Sequence, residues 1–472
     1  MRAPRIVVVG AGPAGIMATR EAMRRGAAVT LIDEAPRPGG QIYRQGDAAL
    51  APSGIGLLKE LKRKRALLEA FAEISDTVDY HPGATAYAVF PGPQLHVALA
   101  DSSQVFEAAA LILATGVGEK AVPFPGWTLP GVLYAGGAQA IMKAHGVRAG
   151  DRVAVVGAGP LIIAVAAQLA EAGAEIACVT LLTPLRVMAR RPLGLWAGRD
   201  VVREGMAYLR RLRRAGAPVL EGWVPVRAEG ASAVESLTVA RHDGTGRALK
   251  GSERRFAVDM VAMNFGFTAN SELARMAGAE VQSDLARGGW VPLHDEFGAT
   301  AAPGVFVAGD GAGLRGAWVA AAEGRIVGAA AALTAQGKGL WNLRRELAAE
   351  FTLRLRHQAF QDALRGTLEL PPGVWSWAAD DTVVCRCEGV TQGRLRRTVA
   401  EGHVTADAIK RNTRAGMGWC GGRTCLASVA ALAAQGETSP AAKTPPMPPM
   451  PPMRPRPPAR PVTAGILARR EP

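Results

Sequence analysis

Aromatic side chains are scarce in this sequence, 5% of 472 residues, while glycines number 56. That balance disfavours a β-sandwich core and suits tight strand-to-helix turns with close backbone approach to a ligand. Cysteine is scarce too. Five residues are too few for a disulfide scaffold, and four of them crowd into 385–425, which points to a metal centre in a reducing compartment. The seven histidines are scattered. His81, His145 and His294 read as surface or packing residues, and no Ser/His/Asp set or acid–base pair stands out. Long apolar runs are missing as well. Val153–Ala170 is broken by glycines and too short to span a bilayer. Ile6–Val9 runs straight into a glycine turn with no cleavage site after it, which argues against a signal peptide. The chain reads as cytoplasmic, with attachment to the inner-membrane surface left open.

Acid is in shorter supply than base, 41 residues against 55, for a formal charge of +14. The arginines are scattered and no basic helix carries a nucleic-acid motif, so nucleic acid is not expected. An acidic protein partner fits such a surface equally well. Residues 436–472 hold Lys443, Arg454, Arg456, Arg460, Arg469 and Arg470 against only Glu437 and Glu471.

The hydrophobic content, 49%, supports real cores, and the length asks for two or three domains. Ile6–Val9 predicts a buried strand, a helix follows near Ile16–Arg25, and Val29–Asp33 predicts a second strand. This βαβ order predicts a parallel sheet. It recurs 147 positions later as strand Val153–Val156, turn Gly157–Pro160, helix Leu161–Ala172 and strand Ile176–Thr180. A third unit has strand Val305–Ala308, turn Gly309-Asp310-Gly311 and helix Trp318–Ala332. A basic connecting helix is expected over 341–363, ended by Pro371-Pro372. From about 437 the Pro-Met repeats of 445–453 predict a polyproline-like, disordered tail. Its apolar end, Val462–Leu467, is suited to docking on a partner.

The first turn, Gly10-Ala11-Gly12-Pro13-Ala14-Gly15, has the dinucleotide-binding spacing. The first glycine makes the turn, the second lets backbone N–H groups approach a pyrophosphate, and the third lets helix and strand pack. The helix N-terminus adds favourable potential. Asp33, 23 positions after Gly10, can accept hydrogen bonds from a ribose, with Glu34 the neighbouring candidate. The second turn keeps Gly157 and Gly159 but has Ile162 at the third position and Thr180 where the acid would stand. Whether this lobe binds NAD(P), another nucleotide or nothing stays open. Cys178 reads as a core residue.

Pro38-Gly-Gly40-Gln41-Ile-Tyr-Arg44, Leu111-Ile-Leu-Ala-Thr115-Gly116 and Val305-Phe-Val-Ala-Gly309-Asp310 complete a set. Together, over roughly 5–335, they resemble the two-dinucleotide-binding flavoproteins typified by glutathione reductase. The resemblance implies FAD in the first lobe, with Asp310 on its ribitol. The disulfide-reducing members carry a cysteine pair just after the Gly-Gly. Here Gln41-Ile42-Tyr43 stands there, which excludes a dithiol relay.

Cys385-Arg-Cys387 and Cys420-Gly-Gly-Arg-Thr-Cys425 are separated by 32 residues. Four thiolates suit zinc or an iron-sulfur cluster. Gly416, Gly418, Gly421 and Gly422 free backbone N–H groups to face cluster sulfurs. Arg411 and Arg414 are placed to offset cluster charge. The stretch over about 381–430 resembles the bacterioferritin-associated ferredoxin domain, which implies [2Fe-2S] on these four cysteines.

The whole order resembles the alpha subunits of bacterial amine-oxidising complexes, such as opine oxidase, hydrogen cyanide synthase, and D-hydroxyproline and L-proline dehydrogenases. Asp33-Glu-Ala-Pro-Arg-Pro-Gly-Gly-Gln-Ile-Tyr-Arg44 and Ala308-Gly-Asp-Gly-Ala-Gly313 carry that resemblance. It implies an FAD-containing beta subunit that oxidises a small amine or amino acid, and a small ferredoxin-like gamma subunit. The expected architecture is α/β: an FAD domain over 1–118 and 262–340, and a second dinucleotide-binding domain over 119–261. A connecting helical segment (341–380), a helical [2Fe-2S] domain (381–435) and a Pro-rich disordered tail (436–472) follow. Two rival readings are a stand-alone NAD(P)H reductase feeding its own cluster and a non-enzymatic iron-sulfur scaffold.

Overall fold

A computed structural model of the chain describes residues 4–46, 58–436 and 455–469. Two five-stranded sheets carry it. The first runs in space Val305–Val307, Ala110–Leu113, Arg5–Val9, Ala28–Asp33, Asp79–Pro82. The second runs Val219–Glu221, Glu175–Leu181, Arg152–Gly157, Met260–Asn264, Val132–Tyr134. Neighbouring strands are parallel throughout both. Buried strands of this kind read as continuous apolar runs, and Ile6–Val8 and Val153–Val156 have no exposed surface.

In each lobe the chain makes an antiparallel three-stranded meander before rejoining the parallel sheet. It is Thr85–Phe90, Gln94–Ala98, Ser103–Glu107 in the first lobe and Trp223–Glu229, Ser236–Arg241, Arg254–Ala257 in the second. The repeat read from two glycine turns therefore extends to the strand order. The expected boundary at 261/262 cuts Met260–Asn264, which belongs wholly to the second sheet. The chain crosses back just beyond it, where Phe267–Ala269 pairs with Val117–Glu119.

Six helices matter to the site: α1 (Pro13–Arg24), α2 (Leu58–Ala72), α3 (Ala135–His145), α4 (Pro160–Glu171), α5 (Ala317–Ala335) and α6 (Ala348–Leu368). α5 lies directly on α1. Side chains at Gly324 or Gly328 would collide with the Ala14 and Ala18 carbonyls, so small residues set this spacing. The expected connecting helix appears as a short turn, Leu343–Glu346, and then α6. Its Phe351 joins the first-lobe core, while Phe360 presses on Gly198 of the second lobe. α6 is thus a brace across both lobes.

The cysteine domain has a two-stranded ribbon, Val383–Cys385 with Val390–Thr391, and three helices, Gln392–Ala400, Ala406–Thr413 and Leu426–Gly436. Val384, Val390, Leu395, Ile409 and Val429 form its core together with Cys385 and Cys425.

The tail departs from expectation. Residues 455–469 lie on the first-lobe meander. Ala459 N–H donates to Tyr87 O at 2.7 Å, and Ser103 N–H donates to Arg469 O at 2.9 Å. Val462 and Ile466 pack on Tyr87, Ala88 and Ala98. The apolar end read as a partner-docking segment therefore covers its own chain, because that face of the meander is apolar and prolines lose little entropy on ordering. The Pro-Met repeats lie outside the described residues. Among the described residues no helix is long and apolar enough to cross a membrane.

Candidate functional site

The segments expected to hold FAD converge. Gly10 lies against Ala114, Gly12 against Gly40, and Gly309 against Ala14. A Cβ on Gly311 would sit 3.0 Å from Thr115 Oγ1. The first turn, the Gly40–Gln41 segment, the Thr115-Gly116 turn and the Gly309-Asp310 turn therefore share one cleft edge. A side chain at Gly15 would strike the Gly10 carbonyl, which is the close helix–strand approach the spacing implied. α1 starts at Pro13 with Gly12 as N-cap and no side-chain cap. Its first N–H groups are left for an anion, as a pyrophosphate-binding helix requires.

Asp33 is buried and accepts N–H groups from Ala11 and from Ala35, the latter at 2.6 Å. Burial pushes its carboxyl above the usual range, and these two donors act the other way. Asp33 therefore ties the end of its strand to the glycine turn. Glu34 is more exposed and pairs with Arg460 of the tail at 3.5 Å. Arg44 donates to Gln41 Oε1. Thr115 Oγ1–H donates to Asn270 O at 2.7 Å and Asn270 Nδ2–H donates to Thr115 O at 2.9 Å. Gly116 has a left-handed φ of 64° with open space around it. Asp310 is half-buried and its Oδ1 accepts N–H groups from Arg315 (2.9 Å) and Gly316 (2.8 Å). Burial raises its carboxyl. An uncapped helix, a glycine cradle and two ordered carboxylates fit an FAD.

The second lobe differs. α4 also begins after a glycine without a side-chain cap, Gly159, but Leu368 at the end of α6 lies against that glycine. Ile162 fills the space beside Gly157. Thr180 has no exposed surface, and among the described residues no atom bonds its hydroxyl. Burial pushes the Cys178 thiol up to about 12, as suits an inert core cysteine.

Among the described residues no three His, Cys, Asp or Glu side chains converge on one ion. The four thiols stand instead as two pairs, Cys385 with Cys425 and Cys387 with Cys420. Two neighbouring pairs of thiols fit a two-iron cluster. Cys385 is held down to about 5, first by the Cys425 thiol and then by N–H groups of Gly416, Glu388 and Cys387. Gly418 lies directly on Cys387. Of the two arginines placed near the cluster, Arg414 bonds Glu388 at 2.7 Å.

Residues that the sequence did not single out join this domain to the second lobe. Trp127, 1% exposed, donates from Nε1 to Val383 O at 2.6 Å. The Arg386 guanidinium lies 5.3 Å from its ring centre. Tyr134 stands beside Thr424 and Cys420. Glu119 accepts Asn264 Nδ2–H at 2.7 Å and Gly136 N–H at 2.9 Å, and its carboxyl is raised by burial. These contacts link positions far apart in the chain, and no local spacing marks them.

Comparison with known proteins gives the same two parts. Residues 4–324 match the pyridine nucleotide-disulphide oxidoreductase model and residues 383–435 the BFD-like [2Fe-2S] binding domain. The chain is 34% identical to the opine oxidase A subunit of Agrobacterium tumefaciens (strain Ach5), covering 92% of this chain and 87% of that one. It is 32% identical to the HcnB subunit of hydrogen cyanide synthase from Pseudomonas aeruginosa, covering 89% and 91%. The solved L-proline dehydrogenase from P. horikoshii shares the fold with a TM-score of 0.66 at 21% identity, over 99% of this chain and 81% of that one. The chain thus belongs to the pyridine nucleotide-disulphide oxidoreductase family, as an FAD flavoprotein with a C-terminal BFD-like [2Fe-2S] domain.

Proposed function

We propose that this chain is the electron-transfer alpha subunit of a hetero-oligomeric dehydrogenase or oxidase of secondary amines or amino acids. Amine oxidation takes place in a flavin-containing beta subunit, and the alpha subunit receives the electrons. FAD supplies two-electron acceptance with single-electron release, and a [2Fe-2S] centre carries one electron at a time. In this reading Gly10–Gly15 and the start of α1 hold the pyrophosphate, Asp33 the ribose and Asp310 the ribitol. Cys385, Cys387, Cys420 and Cys425 hold the cluster.

The observation that carries the reading is the second lobe. Leu368 lies against Gly159, and Thr180 puts a buried hydroxyl where the first lobe has the Asp33 carboxylate. Both features disfavour a nicotinamide nucleotide there, which supports delivery of reducing equivalents by a partner subunit. Three further points support a partner. The curated relatives are named as subunits. Gln41-Ile42-Tyr43 offers no dithiol. Met417 and Trp419 stand 41% and 74% exposed on the loop that bears Cys420, an apolar surface of the sort partners cover.

The test is dye reduction with opines, proline, hydroxyproline, sarcosine and glycine, by the chain alone and by the chain co-purified with a beta subunit of the opine oxidase type. Turnover is expected only in the complex. Turnover of any of these amines by the lone chain overturns the reading. Rapid bleaching of the lone chain's flavin by NADH or NADPH favours the stand-alone reductase instead.

A further inference from the structure

Tyr134 closes the strand Val132–Tyr134 and leads into α3. Its hydroxyl is fully buried, and among the described residues no atom accepts its hydrogen. Buried hydroxyls are nearly always partnered, because a lost water bond has to be replaced. One left without an acceptor beside cofactor-binding segments has a partner to gain from the cofactor.

The surroundings narrow the choice. Thr424 stands on the donor side of the phenolic oxygen, which leaves the phenolic hydrogen to be accepted, and Cys420 and Arg386 are close by. All three belong to the cluster segments, Cys385-Arg386-Cys387 and Cys420–Cys425. Arg386 has donors only and cannot accept the phenol proton. The remaining charged neighbour, Glu119, already accepts Asn264 Nδ2–H and Gly136 N–H. Sulfur is the acceptor left on that side. The anchoring contact to Val383 comes from Trp127, seven residues before Tyr134, and fixes the cysteine domain at this spot.

We propose that Tyr134, from the second dinucleotide-binding lobe, donates its phenolic hydrogen to the sulfur ligand set of the [2Fe-2S] centre and so positions and tunes it. Reduction adds negative charge to the cluster, and a donor to sulfur stabilises the more negative state. The donor therefore raises the reduction potential. The second lobe, whose nucleotide turn lies against Leu368, contributes the outer wall of the iron-sulfur site. The inference rests on the cluster being held by the four cysteines and is independent of any amine substrate or partner.

The test uses the full chain purified with FAD and cluster. In Tyr134→Phe, iron, sulfide and FAD contents are expected to stay as in the wild type. At a poise that half-reduces the wild-type cluster, the reduced-to-oxidised ratio falls about fivefold, which corresponds to one hydrogen bond of about 1 kcal/mol. The electron paramagnetic resonance spectrum of the reduced cluster shifts as well. An unchanged ratio and spectrum overturn the proposal. Should Tyr134→Phe lose its cluster, 3-fluorotyrosine at position 134 carries the test. Its more acidic hydroxyl keeps the shape and raises the ratio, and no change there also overturns the proposal.

Discussion

Leu368 lies against Gly159, so that a Cβ on the glycine would meet its Cδ2 at 3.4 Å. The glycine belongs to the second dinucleotide turn and the leucine to a helix two hundred residues away. Neither NADH nor NADPH should therefore bind the isolated chain measurably or bleach its flavin. Stopped-flow absorbance checks the bleaching, and equilibrium dialysis checks the binding.

Cysteine substitution separates the two redox sites. Cys387→Ser is expected to abolish cluster absorbance and labile iron while leaving FAD bound, because Gly10–Gly15 and Asp310 lie in a different lobe. Ultraviolet–visible spectra with iron and flavin assays on one preparation read both at once. Loss of FAD together with iron would contradict separate sites.

Asp33 links the glycine turn to the second strand through two N–H groups. Asp33→Ala removes both acceptors and the carboxylate proposed to hold the ribose. FAD should bind on the order of 10- to 100-fold more weakly, the scale of charge-assisted hydrogen bonds worth ~1.5–3 kcal/mol. Fluorescence of released flavin on dilution measures it.

Lys120 is 8% exposed, and burial lowers its pKa from the ordinary 10.5, with Glu369 acting the other way. A lowered value means that the folded state carries the ammonium at a cost. That cost is full below the folded pKa, shrinks as pH rises toward 10.5, and vanishes above it. Lys120→Met should therefore stabilise the chain at pH 7, on the order of 1 kcal/mol. The advantage should fade as melting curves are taken toward pH 10.5.

The glycine turns, the acid at 33 and the cysteine spacings were legible because each is a local pattern whose chemistry dictates its spacing. Asp310 was legible through resemblance and proves to be ordered by the backbone of Arg315 and Gly316. Leu368, Trp127 and Tyr134 were not legible, since their roles come from contacts between residues hundreds of positions apart. The tail misled for another reason. Proline-rich composition reports how little entropy a segment loses on ordering as well as how poorly it packs by itself. Whether a receptive face such as Tyr87, Ala88 and Ala98 exists is a property of the fold.

Truncation after residue 454 tests that face. It uncovers the first meander and removes the hydrogen bonds from Ala459 N–H to Tyr87 and from Ser103 N–H to Arg469. The thermal midpoint should drop by about 2–4 °C, and hydrogen exchange should quicken at Ser103.

The same strap has a temporal meaning. Arg460 meets Glu34 at 3.5 Å, and Arg423 of the cysteine loop donates to Ala459 O at 3.1 Å. A stretch translated after every other described segment thus touches both the first lobe and the iron-sulfur loop. During synthesis the rim beside Glu34 therefore stays uncovered until that stretch emerges.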